Sequence, residues 1–181
     1  MKALGFLVAC LIFAATSHAQ SFISLQAEIA EPTEEFRQTA GTGFGAKGSY
    51  LHFLTTRFAL GGSLGYVRWN SRTNVPPNNE YRVIAVPIAL NADFLLSKSV
   101  VAPYIGFSVG MNYLRIRGIA PNANTYEDKN EAHFAYSPHI GVGIHIAGPF
   151  GILLVGSYNV IHTERVRTKY FALSVGGAAG L

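Results

Sequence analysis

Histidines are the side chains here best suited to metal or acid–base chemistry, and five of them lie beyond the first twenty residues: His52, His133, His139, His145 and His162. One metal ion needs several ligands within a few ångströms of it. His139 and His145 share a parity along one extended stretch, but six residues at about 3.3 Å each put them roughly 20 Å apart. Neither a metal site nor a cofactor is expected. An acyl hydrolase would need a Ser nucleophile, a His base and an orienting carboxylate at one rim. The local approach to that set is His162-Thr163-Glu164, where Thr163 leaves the opposite face of an extended chain from its histidine. No catalytic residue is expected. Three charges, Glu28, Lys47 and Asp93, fall on the polar parity of otherwise apolar segments. They form a lumen polar network if that parity faces an enclosed interior.

The segments that must carry these groups are extended. From Ala102 to Tyr113, Ile105, Phe107, Val109, Met111 and Tyr113 occupy one parity, and Tyr104, Gly106, Ser108, Gly110 and Asn112 the other. Phe134 to Ile146 repeats the pattern, with Phe134, Tyr136, Ile140, Val142, Ile144 and Ile146 set against Ala135, Ser137, His139, Gly141, Gly143 and His145. Such alternation means strands. A soluble barrel keeps its bulky apolar groups inside. Here the bulky face is opposed by Gly, Ser, Asn and His, the pattern of a strand with hydrocarbon outside and a small polar lumen inside.

The first residues read as an export signal. Lys2 gives a charged start, Ala3 to Ala15 an apolar stretch, and Ser17-His18-Ala19 a small-x-small cleavage site. Leu7-Val8-Ala9-Cys10 also resembles a lipobox, although the apolar stretch runs on past Cys10. Residues 1–19 are therefore expected to leave, and residues 20–181 to form one domain. Loss of the leader removes the single cysteine and Lys2, leaving 13 Lys and Arg against 10 Asp and Glu. That mild, dispersed excess has no basic run of the kind that binds nucleic acid. No later stretch approaches the 18 apolar residues of a membrane helix.

Eight strands follow in order. The first covers residues 22–30 and stops at Pro32, where Glu31, Glu34, Glu35 and Arg37 mark a solvated loop. The second runs from Thr42 to Phe53, and its Lys47 is placed to pair with Glu28 across the neighbouring strand. In the third, Phe58, Leu60, Leu64 and Tyr66 face outward, and Trp69 is expected in an interfacial aromatic belt. Ser71 to Glu80 is a loop. The fourth strand contains Pro87 and the sixth Pro138, each expected at a bulge or irregularity because proline lacks a ladder donor. The polar segment Gly118 to Ala132 reads as a long loop between strands five and six, and His162 to Lys169 connects strands seven and eight. Connections alternate short and long, and an even number of strands closes a sheet without edges.

Val86-Pro87-Ile88-Ala89-Leu90-Asn91-Ala92, Val101-Ala102-Pro103-Tyr104-Ile105-Gly106 with the following Gly110, and the last strand from Tyr170 to Leu181 resemble the small outer-membrane β-barrels of Gram-negative bacteria, the porin-like family related to OmpA and OmpX. The resemblance implies an all-β fold, an eight-stranded antiparallel up-and-down transmembrane β-barrel in the outer membrane. It implies insertion by the barrel-assembly machinery, whose family signal is a terminal aromatic residue where this chain has Leu181. Relatives act as anchors, adhesins or stability proteins, and some modify lipids. The eight-stranded deacylases carry a His-x-Ser pair, absent from this chain.

The expected function is therefore that of a non-catalytic envelope anchor or interaction surface working through four external loops. The alternatives are a lipid A-modifying barrel enzyme and a soluble periplasmic barrel that binds a lipid. Arg115, Arg117, Arg165 and Arg167 lie near the outer rim and are placed to contact lipopolysaccharide head groups. The interior of eight strands is just wide enough for side chains to fill it, so passage of large solutes is not expected.

Overall fold

The first and last strands close the molecule. In the computed structural model, which describes residues 21–34, 36–71, 81–119, 126–163 and 168–181, Phe22 pairs with Gly180 and Pro32 with Tyr170. The strands are β1 (Ser21–Pro32), β2 (Gly43–Phe53), β3 (Phe58–Asn70), β4 (Tyr81–Leu95), β5 (Val101–Ile119), β6 (Tyr126–Ala147), β7 (Phe150–Ile161) and β8 (Thr168–Gly180). Each is antiparallel to its neighbours in sequence, giving a closed eight-stranded barrel. One short helix, α1 (Phe36–Thr39), interrupts the connection after β1. Closure leaves no strand edge along the spanning part, as a backbone in hydrocarbon requires.

The parity rule sorts the side chains as the sequence suggests. Leu25 and Leu90 are each 70% exposed and Ile140 is 65% exposed, whereas Glu28, Asn91, Asp93 and Ser174 are buried inside. So large an apolar exterior is a surface for lipid. A soluble lipid-binding barrel needs the opposite sorting.

Two expectations about local structure are corrected and one is narrowed. Trp69 lies inside the barrel and is fully buried. Its odd position puts it on the inward parity of Val67, and this decides the matter over any preference of Trp for the interface. Of the bulge or irregularity expected at each proline, the structure shows the irregularity and no bulge. Pro87 pairs with Asn112 in unbroken register with β5, and only the ladder towards β3 is interrupted between Leu64↔Ile88 and Val67↔Ala85. Pro138 interrupts the β6–β7 ladder in the same way, while the true register shift falls at His145–Ala147. The chain turns there at Gly148, whose φ of 56° suits glycine.

The second correction concerns the polar segment after Gly118. Residues 126–132 belong to β6, and β5 and β6 remain paired out to Ile119↔Tyr126. The outermost β6 residue that pairs with β7 is Ala135. Here β4 still flanks β5, with Arg82 opposite Arg117, and β6 alone has lost its β7 neighbour. This ribbon of extended sheet, free of the apolar demand of the membrane, tolerates the charges that make the stretch look like a loop.

Candidate functional site: the barrel lumen and its outer rim

The lumen has three layers. At the long-loop end it is packed apolar. Trp69 meets Tyr170 edge-on at 4.9 Å and Phe36 of α1 at 5.4 Å, and its indole Nε1 donates to the Ala30 carbonyl oxygen at 3.1 Å. Val67, Val83, Leu114 and Ile161 complete this cluster. Gly43 stands where any Cβ would run into the Trp69 ring. α1 is held over the cluster by Gly41 N donating to Asn70 O at 3.0 Å and by the bridge from Ala40 to Ser71.

The middle layer is polar and holds the predicted inner charges in two separate sets. Glu28 accepts a hydrogen bond from Ser174 Oγ at 3.1 Å. Lys47 is near enough for its charge to act on that carboxylate, but among the described residues no ion pair joins them. Lys47 sits opposite Gln26 in the ladder and Glu28 opposite Gly45, so the two are offset by one inward position.

Asp93 belongs to the second set. Its Oδ1 lies 2.7 Å from His139 Nε2. The ladder explains the meeting, because Asp93 pairs with Gly106 and Gly106 with His139. The absent side chain of Gly106 lets strands two apart touch, and a Cβ there would collide with both partners. His139 Nδ1 faces the Ser137 carbonyl oxygen at 3.3 Å and Ser108 Oγ at 3.4 Å. Asn91 Oδ1 accepts from Ser108 Oγ at 2.7 Å and from Ser63 Oγ at 3.2 Å.

A Ser, a His and an Asp thus stand in line. The hydroxyl hydrogen of Ser108 goes to Asn91 at 2.7 Å, and the imidazole Nδ1 of His139 stands 3.4 Å from the same hydroxyl oxygen. Space in this layer is about 50 Å³, room for a few waters.

The third layer, at the short-turn end, is open. Phe22, Leu51, Phe53, Leu95 and Leu153 surround a cavity of about 210 Å³ whose inner end is formed by Ser24, Ser49, Asp93 and Tyr104.

The remaining predicted residues are dispersed. His52 Nδ1 is 3.0 Å from Ser21 Oγ, His133 Nε2 is 3.0 Å from Glu131 Oε2, His145 is exposed at the β6 bulge, and the His162 ring tilts against Phe134 and Tyr136. Among the described residues no cluster of three metal-ligating side chains occurs. Arg115 is exposed on β5, opposite Ile84 and Asn130. The backbone of Arg117 continues the ribbon opposite Asp128. Arg165 and Arg167, like Glu164, lie outside the described residues. Leu181 is 71% exposed, and its backbone N donates to Ser21 O at 2.8 Å. Ser108 and Tyr104, which meet His139, and Asn91, which meets Ser108, were missed. Their shared inward parity was the available signal.

The fold has clear likenesses. Neisserial surface protein A superposes with a TM-score of 0.65 at 15% identity, covering 90% of this chain and 99% of that one. Ail, the attachment invasion locus protein of Yersinia pestis, gives 0.59 at 13% identity, with 90% and 99% covered. The N-terminal β-barrel domain of Pseudomonas aeruginosa OprF gives 0.50 at 15%, with 89% and 99% covered. Among curated proteins none matches the sequence. The family model for the outer membrane protein beta-barrel domain matches residues 4–178. With nearly the whole chain inside that match, the protein belongs to the outer-membrane β-barrel family.

Proposed function

We propose that this protein is a non-catalytic outer-membrane barrel that presents an interaction surface outside the cell and anchors it in the envelope. The observation that carries the reading is the outer extension of β6, which stays paired with β5 past the last rung with β7 through residues 126–134, with β4 flanking β5 on the other side. At about 3.4 Å per residue that is roughly 30 Å of strand. A lumen sealed by the Trp69 cluster and the polar layer beneath it supports an anchor over a pore. Surface proteins such as Neisserial surface protein A share the fold. Residues 1–19 act as the export signal, and the barrel-assembly machinery inserts the barrel. Arg115, Arg117, Arg165 and Arg167 hold lipopolysaccharide phosphates at the outer rim.

Protease shaving of intact cells tests the topology. Cleavage within residues 120–132, together with recovery of the barrel in washed outer membranes and a boiling-dependent mobility shift in SDS, is the expected result. A ribbon cut only after the outer membrane is permeabilised, or recovery as a soluble periplasmic protein, overturns it. Replacement of all four arginines by glutamine should lower both lipopolysaccharide retention and barrel stability. Unchanged values for both remove that contact.

A further inference from the structure

The short-turn end of the lumen is unlike the rest of the interior. The other end is filled by side chains, and the middle holds only about 50 Å³ of space. Here about 210 Å³ is left empty, walled by apolar groups and open towards the turns. An engineered apolar cavity of about 150 Å³ accepts benzene, so this one has room for an alkyl chain of medium length. Its walls contradict the rule that a lumen open to water is polar. Phe22, Leu51, Phe53, Leu95 and Leu153 all occupy inward positions there, and Phe22 and Phe53 meet edge-on at 5.6 Å.

The inner end is polar and anionic. Ser24 Oγ and Ser49 Oγ are 2.6 Å apart. Asp93 is bound to His139 on one side, and the small part of it left exposed lines the cavity with Tyr104. A guest entering tail first would press its terminal methyl onto these groups and shut off the acceptor capacity left over from the Ser24–Ser49 and Asp93–His139 contacts, which is unfavourable in a dry space. A guest entering head first satisfies them and leaves its chain among the apolar walls. A carboxylate head would meet Asp93 with like charge.

We infer that the short-turn end of the barrel binds a single-chain amphiphile of medium length, head inward, whose neutral or cationic head donates hydrogen bonds to Asp93 and the Ser24–Ser49 pair. The ligand class is an alkanol or alkylamine rather than a fatty acid anion.

The test uses the mature protein in phospholipid nanodiscs with labelled leucine methyl groups, titrated with 1-octanol and, separately, octanoate at neutral pH. Octanol should shift Leu51, Leu95 and Leu153 saturably. Octanoate should bind at least about tenfold more weakly, the effect of roughly 1.4 kcal/mol. Asp93→Asn should narrow that gap. Ala178→Phe, which fills the cavity from β8 away from Asp93, should abolish the shifts while the boiling-dependent mobility shift persists. Equal shifts in the Ala178→Phe variant, or shifts spread evenly over lipid-facing Leu25 and Leu173, would reduce the effect to partition into the bilayer and overturn the site. Octanoate binding as well as octanol, or an unchanged gap in Asp93→Asn, overturns the head-inward orientation. None of these readings depends on the external ribbon, so the pocket and the surface role fail separately.

Discussion

The two ends of the lumen solve the same geometric problem differently. Eight strands enclose a space that side chains must fill or leave. At the long-loop end Trp69, Tyr170 and Phe36 fill it, and the first two are almost wholly buried. At the short-turn end two phenylalanines and three leucines stand back around about 210 Å³. Composition does not separate the two, since both are aromatic and aliphatic. Support does. The outer cluster has α1 laid across it and a hydrogen bond from the Trp69 indole to Ala30. At the opposite end the turn residues Ser99, Val100 and Pro149 line the cavity, and among the described residues no helix lies there. The lumen is thus closed on one side and hollow on the other.

The contrast is broken most severely by removing the filling. Trp69→Ala should destabilise the barrel by about 3–5 kcal/mol, the usual cost of truncating a buried Trp, measured by urea unfolding in lipid vesicles. Phe53→Ala should cost well under half as much, because Phe53 is half-buried beside space that already exists. Equal costs would mean that the short-turn end is as tightly packed as the other and that the cavity closes in solution.

Next comes the layer that divides the two ends. His139→Ala leaves the buried Asp93 carboxylate without its 2.7 Å partner. The expected loss is about 3 kcal/mol, the upper part of the range for leaving a buried hydrogen-bonding group unsatisfied. In the Asp93→Asn background the same change should cost much less, because no charge is then stranded. Similar losses in the two backgrounds would show that His139 acts by packing against Tyr104, which it meets at 6.2 Å.

How much of this was legible in the sequence depends on how many strands a feature spans. One strand suffices for parity, so the apolar exterior and the inward placement of Glu28, Lys47 and Asp93 could be read directly. One pairing is needed to judge Glu28 and Lys47, and a register offset by one inward position separates them. Two pairings are needed for Asp93 and His139, which meet across Gly106 from β4 and β6. Their registers depend on a turn and a long ribbon whose lengths the alternation does not fix. The ribbon itself was hidden because apolar alternation is demanded by lipid and lost in water. Trp69 was misplaced for another reason: a residue type that favours interfaces outweighed a parity that pointed inward.

The smallest effect concerns the latch beside the filled end. Lys169 Nζ lies 2.7 Å from Glu34 Oε1, and Thr33 N donates to Lys169 O at 2.9 Å. These contacts tie the start of the first loop, which leads into α1, to β8. Glu34 is more than half exposed, and such pairs contribute less than about 1 kcal/mol, a contribution that salt screens further. Glu34→Gln keeps the shape of the side chain and its backbone preference while removing the charge. It should lower stability by under about 1 kcal/mol, with the difference shrinking at about 0.5 M salt. A loss approaching that of Trp69→Ala would show instead that the filled end depends on the loop being held down, because α1 carries Phe36 onto the indole. The asymmetry of the lumen would then be maintained from outside the membrane, by the same loops that form the proposed interaction surface.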